Sequence, residues 1–161
     1  MYMTTKNTDL VANFEATPQV ANSAAELAGV LRTAHGSVEL AAGDSTDNDI
    51  VMLAPIPSNA AVPQLFVGSD TLGGSCTFNV GLYKTDGTVK DEDVFATSVA
   101  DAAAMADVRF EAADLNTGSQ KLWELAGDSE DPGGYFYVAI TFNATGGTAG
   151  TLAWNINYIV N

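Results

Sequence analysis

Gly73-Gly74-Ser75-Cys76-Thr77-Phe78-Asn79-Val80-Gly81-Leu82-Tyr83-Lys84-Thr85-Asp86-Gly87-Thr88 is the stretch that decides the fold class. From Cys76 to Leu82 the residues alternate strictly. Cys76, Phe78, Val80 and Leu82 point one way; Thr77, Asn79, Gly81 and Tyr83 point the other. A period of two marks a strand with one face on a core. Asp86-Gly87 supplies the turn that follows, because glycine tolerates positive φ and aspartate can bond its own backbone. Asp91-Glu92-Asp93 then reads as the acidic opening of a short helical turn at Val94-Phe95, since negative residues favour a helix N-terminus.

The same alternation recurs downstream. Tyr135 to Phe142 places Phe136, Val138, Ile140 and Phe142 on one face, and Thr151 to Val160 places Leu152, Trp154, Ile156, Tyr158 and Val160 on one face. The Gly- and Thr-rich stretch from Asn143 to Gly150 joins them as a hairpin loop. Upstream, Gly29 to Leu40 reads as a strand interrupted at Gly36, with a bulge expected there. Ile50 to Ile56 is a continuous apolar run, which implies burial on both faces or a covered edge; Pro55 and Pro57 end it. Val62 to Val67 is a further strand, and Pro63 near its start argues for an edge position. Ala96 to Ala106 reads as a loop with one helical turn, Val108 to Glu111 as a short strand, and Ser119 to Gly127 as a short helix. Many strands with turn signals and few helices imply a mainly β fold, an antiparallel sandwich or barrel with jelly-roll-like order. Phe78, Val80, Leu82, Phe136, Val138, Ile140, Leu152, Trp154 and Ile156 are the expected core.

Residues 1–29 differ from this body. Met1 to Thr8 are polar and irregular, and Thr17-Pro18 breaks the segment. Ser23 with Glu26 forms a candidate capping box and Gly29 a stop, so a short helix is expected between them. The apolar residues Leu10, Val11, Phe14 and Leu27 are too few for a core of their own. The expectation is two parts: an arm over 1–29 that docks on a neighbour, and a β-sandwich domain over 30–161.

The chain has 161 residues, enough for one core. Twenty Asp and Glu stand against six Lys and Arg, a net charge of −14. Such a surface repels phosphate backbones and anionic membranes, so neither nucleic acid nor membrane is an expected partner. One cysteine, Cys76, excludes an internal disulfide. Lys6 has no apolar segment behind it of the kind a signal peptide needs, and no apolar run approaches the ~18 residues that span a bilayer. Synthesis in the cytoplasm, as a soluble chain that then meets a partner, is the expectation.

Catalytic constellations are hard to assemble from these residues. His35 is the lone histidine and Cys76 the lone cysteine, and a nucleophile needs a base beside it. There is no Gly-x-Ser-x-Gly elbow, no Cys/His cluster for zinc and no Gly-rich phosphate loop with lysine. With so many acids, a pair of carboxylates at glycosidase spacing arises by chance and signifies nothing. Asp44, Asp47 and Asp49 share one loop, and Asp128, Glu130 and Asp131 another. Neither has the glycine and terminal glutamate of an EF-hand, so solvated loops outweigh calcium sites. Trp123 reads as a core or subunit-contact anchor before a sugar platform. No catalytic, cofactor-binding or metal-binding residue and no cofactor is expected; Leu10, Val11, Phe14, Leu27 and Trp123 are the candidate interaction residues.

Val80-Gly81-Leu82-Tyr83, followed by Thr85-Asp86-Gly87 and Asp91-Glu92-Asp93-Val94-Phe95, resembles a family of small structural proteins of tailed bacteriophages, often encoded near the major capsid gene. The resemblance runs from about Arg32 to the C-terminus. It implies a β-sandwich-like fold and a virion structural protein without enzymatic activity. Within that class the expectation is a capsid decoration, or cement, protein on the outer capsid surface, with the major capsid protein as partner and a homotrimer as assembly. The strong negative charge also fits the outside of a shell better than a lining in contact with DNA. The alternatives are a head fibre or tail-associated protein, a sugar-binding β-sandwich with Trp123 or loop tyrosines as stacking platforms, and, third, a hydrolase.

Overall fold

The computed structural model describes residues 6–101 and 104–160. The first five residues of the arm, and Ala102 and Ala103 within the expected loop from Ala96 to Ala106, lie outside the described residues. Eight strands follow a short helix α1 (Asp9–Glu15): β1 (Leu31–Leu40), β2 (Ile50–Pro57), β3 (Ala60–Ser69), β4 (Thr77–Lys84), β5 (Val89–Ala100), β6 (Ala106–Asp107), β7 (Tyr135–Ala144) and β8 (Gly150–Val160). A one-turn helix, α2 (Leu122–Leu125), sits between β6 and β7.

The strands form two four-stranded antiparallel sheets, β1-β8-β3-β6 and β2-β7-β4-β5. The pairings are nested: β1 with β8, β2 with β7, β3 with β6, β4 with β5. A long antiparallel ribbon rolled on itself produces this nesting, and β3–β8 and β4–β7 are the contacts made on rolling. The order is that of a jelly roll. Side chains of alternate parity fill the space between the sheets. Phe78, Val80, Leu82, Phe136, Val138, Ile140, Leu152 and Ile156 are buried in one cluster, as their alternation requires. Trp154 packs against that cluster while half-exposed, because it faces the β1 edge. A Cβ on Gly36 would come within 2.7 Å of its ring. Gly36 therefore makes room for Trp154, and β1 runs past it in continuous register, without the expected bulge.

Other local expectations are overturned by tertiary packing. β4 is buried on both faces, with Asn79 and Tyr83 covered as well as Phe78 and Val80. The cover comes from β5, which carries surplus residues between Ala96 and Asp91. That surplus crosses over Gly81, where a Cβ would meet the Asp91 carbonyl oxygen at 2.1 Å. Asp91 to Phe95 are thus a bulged strand, and no helix begins there; the carboxylates serve the bulge, with Asp91 accepting from the Asp93 amide. Ala96 to Ala100 continue the strand. β3 is an inner strand, and Pro63 is tolerated because it falls where the β8 register shifts, between Ala61 and Gln64. β2 lies at an edge with Ile50 and Met52 exposed on it. Val108 to Glu111 form a turn after the two-residue β6.

At one end of the sandwich the loops interlock. Ser45 is fully buried and its carbonyl accepts from the Gly146 amide at 2.9 Å. Leu72 accepts from Thr148 and donates its amide to Asp101 at 2.7 Å. At the other end Arg109 is fully buried. Its Nε donates to the Val62 carbonyl at 2.6 Å and its Nη2 to the Thr117 carbonyl at 2.9 Å. The guanidinium lies over Phe95 and Phe110, 5.0 and 4.7 Å from their ring centres. Desolvation lowers its pKa to about 10, against the opposing pull of Asp107, so it stays charged at neutral pH.

Candidate functional site

The arm folds differently from the expectation. Leu10 and Phe14, one helical turn apart, share a face of α1, and Val11 adjoins Phe14. No residue of α1 is buried. The chain turns back after Pro18, and polar bonds hold the return: the Val20 amide donates to the Asn13 carbonyl, and Asn22 Nδ2 to the Leu10 carbonyl. Asn13 Nδ2 donates to Asn22 Oδ1 at 2.8 Å. The helix expected from Ser23 is a single turn. Ser23 Oγ does accept from the Ala25 amide, but Ala28 takes a left-handed φ of 65° and ends it.

This small unit keeps its apolar side chains in water. Phe14 is 68% exposed and Val30 is 73% exposed; Val11, Val20, Leu27 and Leu31 are exposed too, and Leu10 is half-buried. One close approach to the strands is at Gly29, where a Cβ would meet Ile159 at 2.7 Å. Leu10, Val11, Phe14 and Leu27 thus all lie in the segment that precedes β1. Trp123 does not join them: it sits on α2, half-buried against the core, with its amide bonded to the Ser58 carbonyl. Val20, Val30 and Leu31 were not named from the sequence, where Val30 and Leu31 read only as the start of a strand.

The chemically reactive groups are placed as structure. Cys76 is buried, and burial with the nearby Asp101 charge pushes its thiol pKa up, away from a nucleophilic thiolate. His35 is exposed on the outer face of β1, opposite Asn155. The acidic loops cap turns: Asp44 accepts from the Ala41 amide, Asp49 from Thr46, and Asp131 from Ser58 Oγ and the Gly133 amide. Asp128 pairs with Lys90 at 2.6 Å. Among the described residues no three His, Cys, Asp or Glu side chains converge as a metal site would require, and no helix is long and apolar enough to cross a membrane.

The jelly roll is shared with chains of phage particles. The molecule is similar to a chain of the cyanophage Pam1 capsid asymmetric unit, with a TM-score of 0.56 and 22% identity over 83% of this chain and 86% of that one. It is similar also to a chain of the Ralstonia phage GP4 capsid, with a TM-score of 0.53 and 17% identity over 83% and 86%. Both are phage capsid structures, the class to which the sequence resemblance pointed. No protein-family model and no curated protein matches the sequence.

Proposed function

We propose that this chain is a non-enzymatic virion structural protein, a decoration protein that binds the major capsid protein on the outer surface of the shell and makes it harder to pull apart. What carries this reading is the arm, whose Phe14, Val20 and Leu27 stay in water on a body with the fold of phage capsid chains. Apolar side chains held out on a polar-bonded hairpin contribute nothing to their own domain. Seated on a neighbour, they leave water at about 25 cal/mol per Å², which offsets the entropy of fixing the arm. The net charge of −14 favours the outside of a shell over its DNA-facing side. A closed ring of copies, with a trimer as the proposed state, would let one decoration unit bridge several capsid subunits. A domain division into an arm over 1–29 and a sandwich over 30–161 belongs to the same proposal. The sugar-binding alternative loses its best platform, because Trp123 packs against the core.

The test uses capsid shells prepared without this protein. The full chain should co-sediment with them and appear on their outer surface by electron microscopy. A Val11→Ser/Phe14→Ser/Leu27→Ser variant should melt within a degree or two of the native chain, since these side chains are exposed, yet bind shells at least tenfold more weakly. Equal binding by the variant removes the arm from the mechanism. A native chain that ignores the shells, or decorates only tails, removes the decoration reading.

A further inference from the structure

Four strands lie at sheet edges, and three are blunted. β2 carries Pro55 and Pro57 and a register shift between Met52 and Ala54. β5 shifts register at three places and holds Ser98 at a φ of 54°. β6 is two residues long, and the β3 strand behind it contains Pro63. β1 is different. It offers ten residues without proline or bulge, in unbroken register with β8 on its inner side. Proteins usually cover or interrupt such an edge, because its row of free N–H and C=O groups is a template for another strand.

Beside the C-terminal half of β1, between it and β2, runs a cleft of about 450 Å³. Val38, Val51 and Met52 give it apolar walls, and Glu39, Asp44 and Asp49 add three negative charges. Each acid uses one oxygen locally: Glu39 accepts from Thr151 Oγ1, Asp44 from the Ala41 amide, Asp49 from the Thr46 amide. None of the three is neutralised, since the ion pair found among the described residues is Lys90 with Asp128.

We propose that β1 and this cleft form a strand-acceptor site for an extended, basic segment of a partner protein. Backbone pairing to β1 supplies the affinity. Alternate side chains face opposite ways, so the apolar set drops into the cleft against Val51 and Met52 while the cationic set turns to the outer face that Glu39 shares, with Asp44 and Asp49 adding to the negative field. Charge selects this occupant over a second copy of the chain, which would bring another net −14 to the same edge. The site is separate from the arm, so either can fail without the other.

The probe is an eight-residue peptide alternating valine and lysine, blocked at both ends, added to the full chain. Amide hydrogen exchange should slow at least tenfold at alternate positions of β1, and nowhere comparably on β5 or β2. Of two control peptides, N-methylated at every valine or at every lysine, one should lose binding at least tenfold, because one set of donors faces β1. A Glu39→Gln/Asp44→Asn/Asp49→Asn variant keeps each hydrogen-bond acceptor and should bind the peptide about tenfold more weakly, with an unchanged melting temperature. Slowing that spreads over the acidic surface, two controls that bind like the parent, or an unaffected variant each overturn the proposal. So does a peptide-free chain that sediments as a dimer with β1 amides already protected, since a second copy then fills the edge.

Discussion

Arg109 puts a charge where no water reaches, and its surroundings explain how the fold tolerates it. Two carbonyls from distant segments, Val62 and Thr117, take its donors, and two aromatic faces flank its plane. Arg109→Met would keep the volume but take the side-chain donor from the Val62 carbonyl and leave the Thr117 carbonyl with the Gln120 amide alone. The expected loss is about 2–5 kcal/mol, measured by urea denaturation. Arg109→Lys should not restore it, because a point charge cannot reach both carbonyls and stack as well. A second expectation concerns acid. Hydrogen bonds from Ser58 and the Gly133 amide hold Asp131 below the usual carboxylate range. A depressed folded-state pKa means stability that is present above the unfolded value near 4 and lost as pH falls through the folded one. Asp131→Asn should therefore lose less of its urea midpoint than the native chain between pH 5 and pH 2. Neither residue was legible in advance. Arg109 sits in Val108-Arg109-Phe110-Glu111, which alternates like a surface strand, and its partner Val62 is 47 residues away.

Strands were legible wherever large apolar side chains alternate along them, even where packing covers the second face as well. β4, β7 and β8 follow from the alternation of Phe78, Val80 and Leu82, of Phe136 to Phe142, and of Leu152 to Ile156. The reading failed at β5 because its surplus residues answer to a neighbour and not to a period. Asn79 Oδ1 accepts from the Ser98 amide at 2.8 Å and from Asn143 Nδ2 at 2.8 Å, which pins the left-handed Ser98. Gly81 leaves the gap through which Asp91 and Glu92 pass. Gly81→Ala should expel that crossing at a cost of about 1–3 kcal/mol. Amide exchange should then speed up from Asp91 to Ser98 while β7 stays protected; uniform exchange along β5 as in the native chain would show that the crossing does not depend on Gly81. The arm was half-legible. The exposed Val11, Phe14 and Leu27 were named, but its helix lies at Asp9–Glu15 and not after Ser23, because bonds to Asn22, and no periodicity, hold it.

For the whole molecule the order of events matters as much as the final contacts. The rolled ribbon joins Leu31 to Ile159 and Leu40 to Gly150, and β8 lies between β1 and β3 in its sheet. Pairings so far apart along the chain must meet the loop-closure entropy before they gain anything, so refolding from urea should take milliseconds to seconds. Stopped-flow fluorescence of the tryptophans would follow it; a microsecond phase carrying the full amplitude would contradict this. Removing β8 takes the middle out of one sheet and parts β1 from β3, so a chain stopped at Ala144 should not fold, as judged by near-ultraviolet circular dichroism. A ribosome making this protein therefore releases β1 long before its neighbour in the sheet exists. Until β8 has been made, the nascent chain carries Val38, Leu40, Val62 and Val67 with no β8 to close over them. Folding has to wait for the last strand, and yield in the cell should depend on how well chaperones shield the chain during that wait.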